Sequence, residues 1–401
     1  METNRGPTRI LRARKKGAPP LIDLRLTPRH RRSVTALLLL SVALAGGCKE
    51  VPGTTGASGP SSDTGIGSPG PEAPTATAPG DPSATPSAPG TSVTPSAPPA
   101  SGKPATPATS AAPPTVSGGW ITIDAAAQAA ATRAFFARKP KAVTGNPVKV
   151  PEFNVGCQTS HHNSDDPIVL PKLVGGSHNH TFWGNKSTDA NSTAESLRAS
   201  KATTCNSPDD QSAYWVPTMY QNGKVVDPKE VTVYYGSRLK DPSKTQPFPF
   251  GLRMITGNAK NQVDTPDKQG NHFWCAGIGG EVGRSADKTF PVCAKTANIV
   301  RQVTFPDCWD GKHLDSPDHK AHMANGDHTG ACPKSHPVPV PSVSFVISYP
   351  LSANTDGITL ASGTSFSMHA DFFNAWKDEA LAARVRNCLD QGVKCNSAGN
   401  F

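Results

Sequence analysis

The segment Ser342-Val343-Ser344-Phe345-Val346-Ile347-Ser348-Tyr349 decides the fold class. It consists mostly of β-branched and aromatic residues, which favour extended backbone. The runs Glu230–Tyr235 and Asn298–Phe305 have the same character, and clusters of Gly, Pro, Asn and Asp separate them. This pattern is typical of a mainly β protein with many turns. We predict a β-sandwich-like domain with long loops and a few peripheral helices.

The part of the chain that can fold begins near Trp120, and a helical lead-in over residues 120–145 precedes the main domain. A helix is predicted over Asp124–Arg138, because Asp124 can cap it and the alanine-rich stretch has high helix propensity. Pro140 ends this helix, since proline cannot continue the helical hydrogen bonding.

Residues 146–401 are predicted to form a single globular domain, because no second linker interrupts them. One strongly amphipathic helix is predicted within it, over Asp371–Leu389. The apolar residues that fall near one face of this helix are Phe372, Trp376, Ala380, Leu381 and Val385.

Eight cysteines lie in this domain, and an even number outside the cytoplasm indicates four disulfides. They are Cys157, Cys205, Cys275, Cys293, Cys308, Cys332, Cys388 and Cys395. Local spacing favours Cys275–Cys293, Cys308–Cys332 and Cys388–Cys395, which leaves Cys157 with Cys205. Zinc ligation is the alternative use, but the chain has no C-x-x-C pair.

Residues 1–47 resemble a secretory signal peptide that ends in Leu44-Ala45-Gly46-Gly47 before Cys48. Cys48 is the predicted lipidation site. The apolar run Val34–Ala45 has about 12 residues, too few to span a bilayer that needs roughly 20. We therefore expect a lipid anchor at the extracellular face of the cytoplasmic membrane. The alternative is a plain signal peptide and a secreted product.

Residues 48–119 are predicted to be a disordered tether. From Lys49 to Gly119 the chain has no aromatic residue, no Leu and no Met, and Pro, Gly, Ser, Thr and Ala make up almost all of it. Such a segment has no apolar surface whose burial could offset the entropy lost on ordering.

The positive charge of the chain lies almost entirely in the predicted leader. The whole chain has 40 Lys and Arg against 31 Asp and Glu, of which residues 1–47 hold ten and two. The remainder is close to neutral and presents no general basic surface for phosphate backbones. We therefore expect no nucleic-acid partner.

Histidine and aspartate form three doublets. His178 and His180 are two residues apart, so on a strand they share one face and can bind one metal ion. His369 and Asp371 have the same spacing, while His319 and His322 would share a face on a helical turn. The predicted catalytic residues are His178, His180, His369, Asp371 and Asp318, and the predicted ligands of a divalent metal are His178, His180, His319 and His322. The alternative for each histidine is a hydrogen-bonding role in the scaffold.

The blocks around these doublets resemble a known family. The blocks are Gly176–Asn185, Phe305–Met323 and Met368–Trp376, with Asp166–Val169, Tyr214–Pro217 and Gly251–Ile255. Together they resemble the secreted domain-of-unknown-function family numbered nineteen-ninety-six, over about Val155 to Cys395. The resemblance implies an extracellular protein of actinobacterial or fungal type, and it implies no particular reaction.

Two further groups of residues have several interpretations. Asp307, Asp310, Asp315 and Asp318 can form turns, hold calcium or act as glycosidase carboxylates, in that order of preference. Loop-like contexts surround Trp183, Tyr214, Trp215, Tyr220, Trp274 and Trp309, whose rings could stack on sugars, with core packing as the default. Trp183, Asn185, Trp215 and Trp309 are the predicted substrate-binding residues.

Two functions from different classes follow. The first is a hydrolase or lyase that cleaves an extracellular or cell-wall polysaccharide, with the histidines as acid, base or metal ligands. The second is a non-catalytic surface module that binds glycan or a transition metal. A monomer is expected in either case. Motifs G-x-S-x-G, P-loop and H-E-x-x-H are absent from the sequence, so α/β-hydrolase, nucleotide-binding and zincin functions have no support.

Overall fold

The computed structural model describes residues 114–143, 145, 147–264 and 272–400. The predicted signal peptide, Cys48 and the tether up to residue 113 lie outside them. The end of the predicted disordered tether is corrected, because residues 115–117 form a strand. Thr115–Ser117 (β1) forms a hairpin with Trp120–Thr122 (β2). Gly118 and Gly119 between them have φ values of 55° and 81°, which the tight hairpin turn requires.

The larger of two main sheets has six strands, all antiparallel to their neighbours. Numbered along the chain and given in spatial order, they are β12 (Gly280–Arg284), β11 (Phe273–Gly277), β13 (Asn298–Thr304), β18 (Ser342–Tyr349), β9 (Glu230–Gly236) and β3 (Glu152–Cys157). The three predicted strand runs are β9, β13 and β18, which lie side by side in this sheet. This confirms the mainly β prediction.

The second main sheet has five antiparallel strands. In spatial order they are β10 (Arg253–Gly257), β20 (His369–Phe373), β6 (Ala213–Pro217), β5 (His180–Gly184) and β4 (Thr159–Asn163). Its inner face packs on the six-stranded sheet, where the Phe345 ring lies 5.2 Å from that of Trp183 and 5.5 Å from that of Tyr214. The two sheets therefore form a sandwich around one aromatic-rich core.

Three small sheets of three strands each complete the strand structure of the described residues. In spatial order they are β1, β2 and β15 (His313–Asp315); β16 (Met323–Ala324), β14 (Cys308–Trp309) and β17 (Val338–Pro339); and β19 (Ile358–Leu360), β7 (Met219–Gln221) and β8 (Lys224–Val225). Long loops join these short strands, as predicted.

Helices are few and peripheral. They are α1 (Ala125–Ala137), α2 (Ala194–Ser200), α3 (Asp378–Arg384) and a π-helical turn Val385–Leu389, with 3-10 turns at Pro242–Lys244 and Ser365–Ser367. Asp124 caps α1 as predicted, since its Oδ1 accepts from the backbone N–H groups of Ala126 and Ala127. Within the described ranges, no helix has the length and apolar character needed to cross a bilayer.

The helix predicted over Asp371–Leu389 is wrong in its first part. Residues 371–373 belong to β20, where Asp371 lies opposite Ile255 of β10 and Trp215 of β6. The helix itself begins only at Asp378. Hydrogen bonding to two neighbouring strands outweighs the local helical spacing of apolar residues, which the sequence pattern alone could not show.

Four disulfides join the eight cysteines, with the predicted pairing. They are Cys157–Cys205, Cys275–Cys293, Cys308–Cys332 and Cys388–Cys395. The prediction of a disulfide-stabilised β domain is therefore confirmed, and no cysteine of the described residues is left for zinc.

Candidate metal centre

The outer face of the five-stranded sheet carries the site. Alternate residues of a strand share a face, so His180 of β5 lies on the same side as Trp215 of β6 and His369 and Asp371 of β20. Every residue of these three strands is buried, because other parts of the chain cover this face too.

Two loops and one helix cover this outer face. The β4–β5 loop (residues 164–179) contributes Ile168, and α2 contributes Ala194 and Leu197, to an apolar cluster with Trp215. The β15–β16 loop (residues 316–322) is attached by the His322 ring, whose Nε2 hydrogen-bonds to the Arg253 carbonyl of β10. The polar residues of the site are thus enclosed between a sheet and its loops.

His178, His180 and His369 converge in this enclosed space, and we refer to them as the His triad. The ring centroids lie 4.4 Å apart for His178 and His180, 5.0 Å for His178 and His369, and 5.8 Å for His180 and His369. One ring nitrogen from each residue lies within 4.8 Å of the other two. That spacing allows three imidazoles to bind one metal ion.

Backbone carbonyls orient two of the three rings. Nδ1 of His180 lies 3.0 Å from the Asp165 carbonyl, and Nδ1 of His369 lies 2.9 Å from the Ser367 carbonyl. A carbonyl only accepts, so each Nδ1 must carry the proton and each Nε2 is left with a free lone pair. Histidine ligands of metals are typically held in this way by their second nitrogen.

The triad is held in its neutral form. Burial lowers the pKa of His178, and burial together with the neighbouring imidazoles lowers that of His180 well below its usual value. Burial is also the main reason why the pKa of His369 falls to about 4. The buried Nε2 atoms of His178 and His180 have no hydrogen-bond partner within the described ranges. Buried unpaired acceptors are costly, which indicates that a ligand belongs between them.

A buried carboxyl group adjoins the triad. Oδ2 of Asp371 lies 4.0 Å from Nε2 of His369, and neither carboxyl oxygen has a hydrogen-bond partner in the part of the chain that the structure describes. Burial raises the pKa of Asp371 well above its usual value, and the nearby Asp166 raises it further, while Lys320 opposes the shift. Burial and the nearby Asp166 therefore favour the protonated form of Asp371.

A second histidine and its carboxylate lie beside these residues. Nδ1 of His319 is 3.0 and 3.1 Å from the two carboxyl oxygens of Asp315, which is almost fully buried. Nη1 of Arg253 lies 3.4 Å from Oδ2 of the same carboxylate. The neighbouring Lys320 donates to the Gly257 carbonyl over 2.6 Å, next to His369 in the strand pairing.

Residues 166–376 match a family model described as a domain of unknown function, DUF1996. The chain belongs to this family. The matched range begins at Asp166 and ends at Trp376, so it contains the His triad, Asp371 and the His319–Asp315 pair. No curated protein and no solved structure matches the chain. Because the family's description names no reaction, the function of the DUF1996 domain must be argued from its geometry.

Two of the three predicted doublets meet in the DUF1996 domain, and the third does not. His178 and His180 lie with His369 and Asp371, whereas His319 and His322 are not part of the His triad. His322 cannot bind metal as placed, because its Nδ1 is bonded to the Ser316 hydroxyl and its Nε2 to the Arg253 carbonyl. His319 is turned toward Asp315 instead.

The structure does not support the four predicted substrate-binding residues, because all of them are buried. Trp183 lies in the core between the sheets, and Trp215 lies beneath the covering loops. Trp309 donates its Nε1–H to the His313 carbonyl, and Asn185 donates its side-chain amide to the carbonyls of Leu197 and Gln211. None of these side chains can contact a glycan in this structure. Apolar contacts in the sandwich outweigh the loop-like appearance of their sequence neighbours.

The acidic cluster mainly forms turns, in line with the first of its interpretations. Asp318 accepts from the N–H groups of Lys320 and Ala321, and Asp310 from those of Lys312 and His313. A catalytic role for Asp318 therefore has no support. Asp315 differs, because it holds His319.

The sequence did not identify Asp166 and Lys320 as members of the site, and it indicated Asp315 only as part of the acidic cluster. Asp166 and Asp315 were both within the motifs that carry the family resemblance, but their spacing to the histidines gave no sign of contact. Only their positions around the sheet bring them together.

Proposed function

We propose that the DUF1996 domain binds a divalent transition metal at the His triad and uses it to hydrolyse an extracellular or cell-wall polysaccharide. The observation that carries the proposal is the convergence of three neutral imidazoles, with nitrogen atoms within 4.8 Å of one another and two buried Nε2 atoms unpaired in the described residues. Neutral imidazole suits zinc, copper, iron and nickel among the common metals.

The number of ligands favours catalysis. Three protein ligands leave a further position for water or substrate, as catalytic sites of this type require. A metal in such a site lowers the pKa of its bound water and so supplies a nucleophile at neutral pH. A bound metal cation would favour the ionised form of Asp371, and this carboxylate, with Oδ2 4.0 Å from Nε2 of His369, would then accept a proton from the attacking water.

The choice of polysaccharide rests on location. The leader predicted from the sequence and the four disulfides support the proposal of an oxidising compartment outside the cytoplasm. Polymers of the cell surface and its surroundings are the abundant substrates there. His178 is the least buried member of the triad. A polymer could therefore approach the metal from the side of the site where His178 lies.

Metal binding is tested first. The full chain is purified without a histidine tag, and its disulfides are kept intact. After incubation with zinc and dialysis, elemental analysis should find about one metal per chain. His178→Ala should lower the affinity by about 100-fold or more, because one of three ligands is lost. His328→Ala, which removes an exposed histidine elsewhere, serves as the matched control. Equal metal content in all three proteins would contradict the site.

Hydrolysis is tested next, by reducing-end release from a panel of wall and extracellular polysaccharides. Asp371→Asn should keep the metal but lower turnover by about 100- to 10,000-fold, because the amide cannot accept the proton. If the metal-loaded wild type cleaves no polymer while the metal test succeeds, the hydrolase proposal fails. The domain would then be a non-catalytic metal-binding module.

A further inference from the structure

Outside the His triad, His319 and the buried Asp315 form a hydrogen-bonded pair that several neighbours hold in place. Both oxygens of the buried Asp315 face Nδ1 of His319, and the Ser316 N–H donates to Oδ1 of that carboxylate over 2.9 Å. Arg253 supports the carboxylate from β10. The carboxylate therefore fixes both the tautomer and the orientation of the imidazole.

The backbone at His319 is also unusual. Its φ is 57°, in the left-handed region that non-glycine residues seldom adopt, at a cost of order 1 kcal/mol or more. The His319 N–H donates to the Ser316 carbonyl over 2.8 Å, and Asp318 holds the next two N–H groups, so the loop keeps this conformation. Strain of this kind concentrates at functional sites.

The charges around His319 connect it to the His triad. His319 lowers the pKa of Asp166, against the larger upward effect of burial, and Asp166 in turn raises the pKa of Asp371. The next residue, Lys320, acts on both His369 and Asp371. Contacts of the same loop agree with this, because Lys320 donates to the Gly257 carbonyl, opposite His369, and His322 is bonded to the Arg253 carbonyl of β10. The loop that carries His319 therefore lies along β10, next to β20, and the His319 side chain is about one-fifth exposed.

We infer that His319 is the general acid of the site, oriented by Asp315. The inference rests on the proposed hydrolysis and assigns a further catalytic residue to it. Its Nδ1 faces Asp315, and its Nε2 has no hydrogen-bond partner among the described residues, so Nε2 is free to meet a substrate.

The proton balance requires two groups, and the site supplies both. As a water oxygen bonds to the anomeric carbon, Asp371 takes a proton from that water. The bond from the anomeric carbon to the leaving oxygen breaks, and the imidazolium Nε2–H of His319 gives its proton to that oxygen. Transfer of a proton from Asp371 to His319 through solvent restores both groups. The sum is one water consumed for one glycosidic bond cleaved.

The test compares His319→Gln with wild type on two substrates. Glutamine keeps a donor for Asp315 but cannot act as an acid near neutral pH. The variant should keep its metal content and lose about 100-fold or more in kcat on the polysaccharide. On the corresponding nitrophenyl glycoside, whose leaving group needs no proton, it should stay within a few-fold of wild type.

Asp315→Asn, with folding checked by thermal melting, supplies a second readout. Because the Asp315 carboxylate orients the His319 ring, this variant should also lose activity on the polysaccharide while staying within a few-fold of wild type on the nitrophenyl glycoside.

Several outcomes would overturn the inference. An unchanged rate on the polysaccharide in His319→Gln would exclude proton transfer, and equal losses on both substrates would indicate a positioning role only. Loss of metal in the variant would make His319 a part of the metal site instead. If wild type cleaves neither substrate, the proposed function and this inference both fail. If wild type is active and any of the first three results is obtained, the inference about His319 fails while the proposed function stands.

Discussion

At the scale of single residues, Gly257 sets the position of His369. Its φ is 83°, and a Cβ atom there would lie 2.5 Å from the Met368 carbonyl oxygen and 2.7 Å from Cα of His369. Contacts under 3.0 Å are not tolerated by a backbone neighbour, so β20 would have to shift. The same glycine accepts the ammonium of Lys320 through its carbonyl.

We predict that Gly257→Ala weakens both the fold and the metal site. The backbone strain alone should cost about 1–2 kcal/mol, and displacement of His369 should lower metal affinity at least about tenfold. Denaturant unfolding and a metal titration measure the two effects. Gly279→Ala is the matched control, because Gly279 has a φ of 93° with nothing within 4 Å of the added Cβ. Equal metal affinity in both variants would refute the steric argument.

At the scale of the elements, a buried polar network ties the two main sheets together. Tyr214 of β6 donates to Oδ2 of Asp210 over 2.6 Å and shares a hydrogen bond with the Tyr235 hydroxyl of β9. Trp376 donates its Nε1–H to the same hydroxyl over 2.9 Å. Burial is the main cause that raises the pKa of Asp210 to about 7, although the Tyr214 hydrogen bond opposes it.

We predict that this network makes stability depend on pH. The folded pKa of Asp210 lies above the unfolded value, so its contribution is complete below about pH 4 and is lost as the pH rises to about 7. The loss should be at most about 4 kcal/mol, since each pKa unit corresponds to about 1.4 kcal/mol. Asp210→Asn mimics the protonated form of Asp210. The other buried carboxyl groups are the same in both proteins, so their pH dependence cancels in the comparison.

The measurement is the free energy of unfolding from pH 4 to pH 8 for wild type and Asp210→Asn. The difference between the two proteins should favour Asp210→Asn increasingly as the pH rises. A constant difference over this range would show that Asp210 titrates normally.

At the scale of the whole molecule, one disulfide closes the chain segment that contains His178 and His180 of the metal site. Cys157 and Cys205 are 48 residues apart in sequence, and the chain between them includes β4, β5 and two members of the His triad. Cys388–Cys395 closes a segment of only 7 residues, far from the site in sequence. Loss of a cross-link destabilises mainly by freeing the unfolded chain, more so for longer loops.

We predict a larger effect for the longer loop. Replacing both Cys157 and Cys205 by serine should cost about 4 kcal/mol, against about 2 kcal/mol for Cys388 and Cys395, from loop-closure entropy. Only the first double variant should also lower metal affinity, because the β4–β5 loop is then less restrained. Thermal unfolding with and without zinc compares them. The opposite order of stabilities would contradict the prediction.

The strands β9, β13 and β18, the α1 cap and the disulfide pairing could all be predicted from the sequence. These features depend on amino-acid composition, on backbone propensity and on residues that lie close together in the sequence. The sequence also indicated His178, His180, His369 and Asp371 as candidates, because alternate residues of a strand share a face.

Which of the doublets meet depends on how the strands pair in the folded domain. β20 lies between β10 and β6, and this pairing places His369 and Asp371 beside residues far away in the sequence. The same pairing places the first residues of the predicted helix in β20, so that the helix begins only at Asp378, and Trp215, opposite Asp371, is buried. Such contacts depend on strand order and on which loops cover a sheet face, and neither is encoded in local periodicity. His369 shows this clearly, because its ring meets those of His178 and His180, which lie about 190 residues earlier in the sequence.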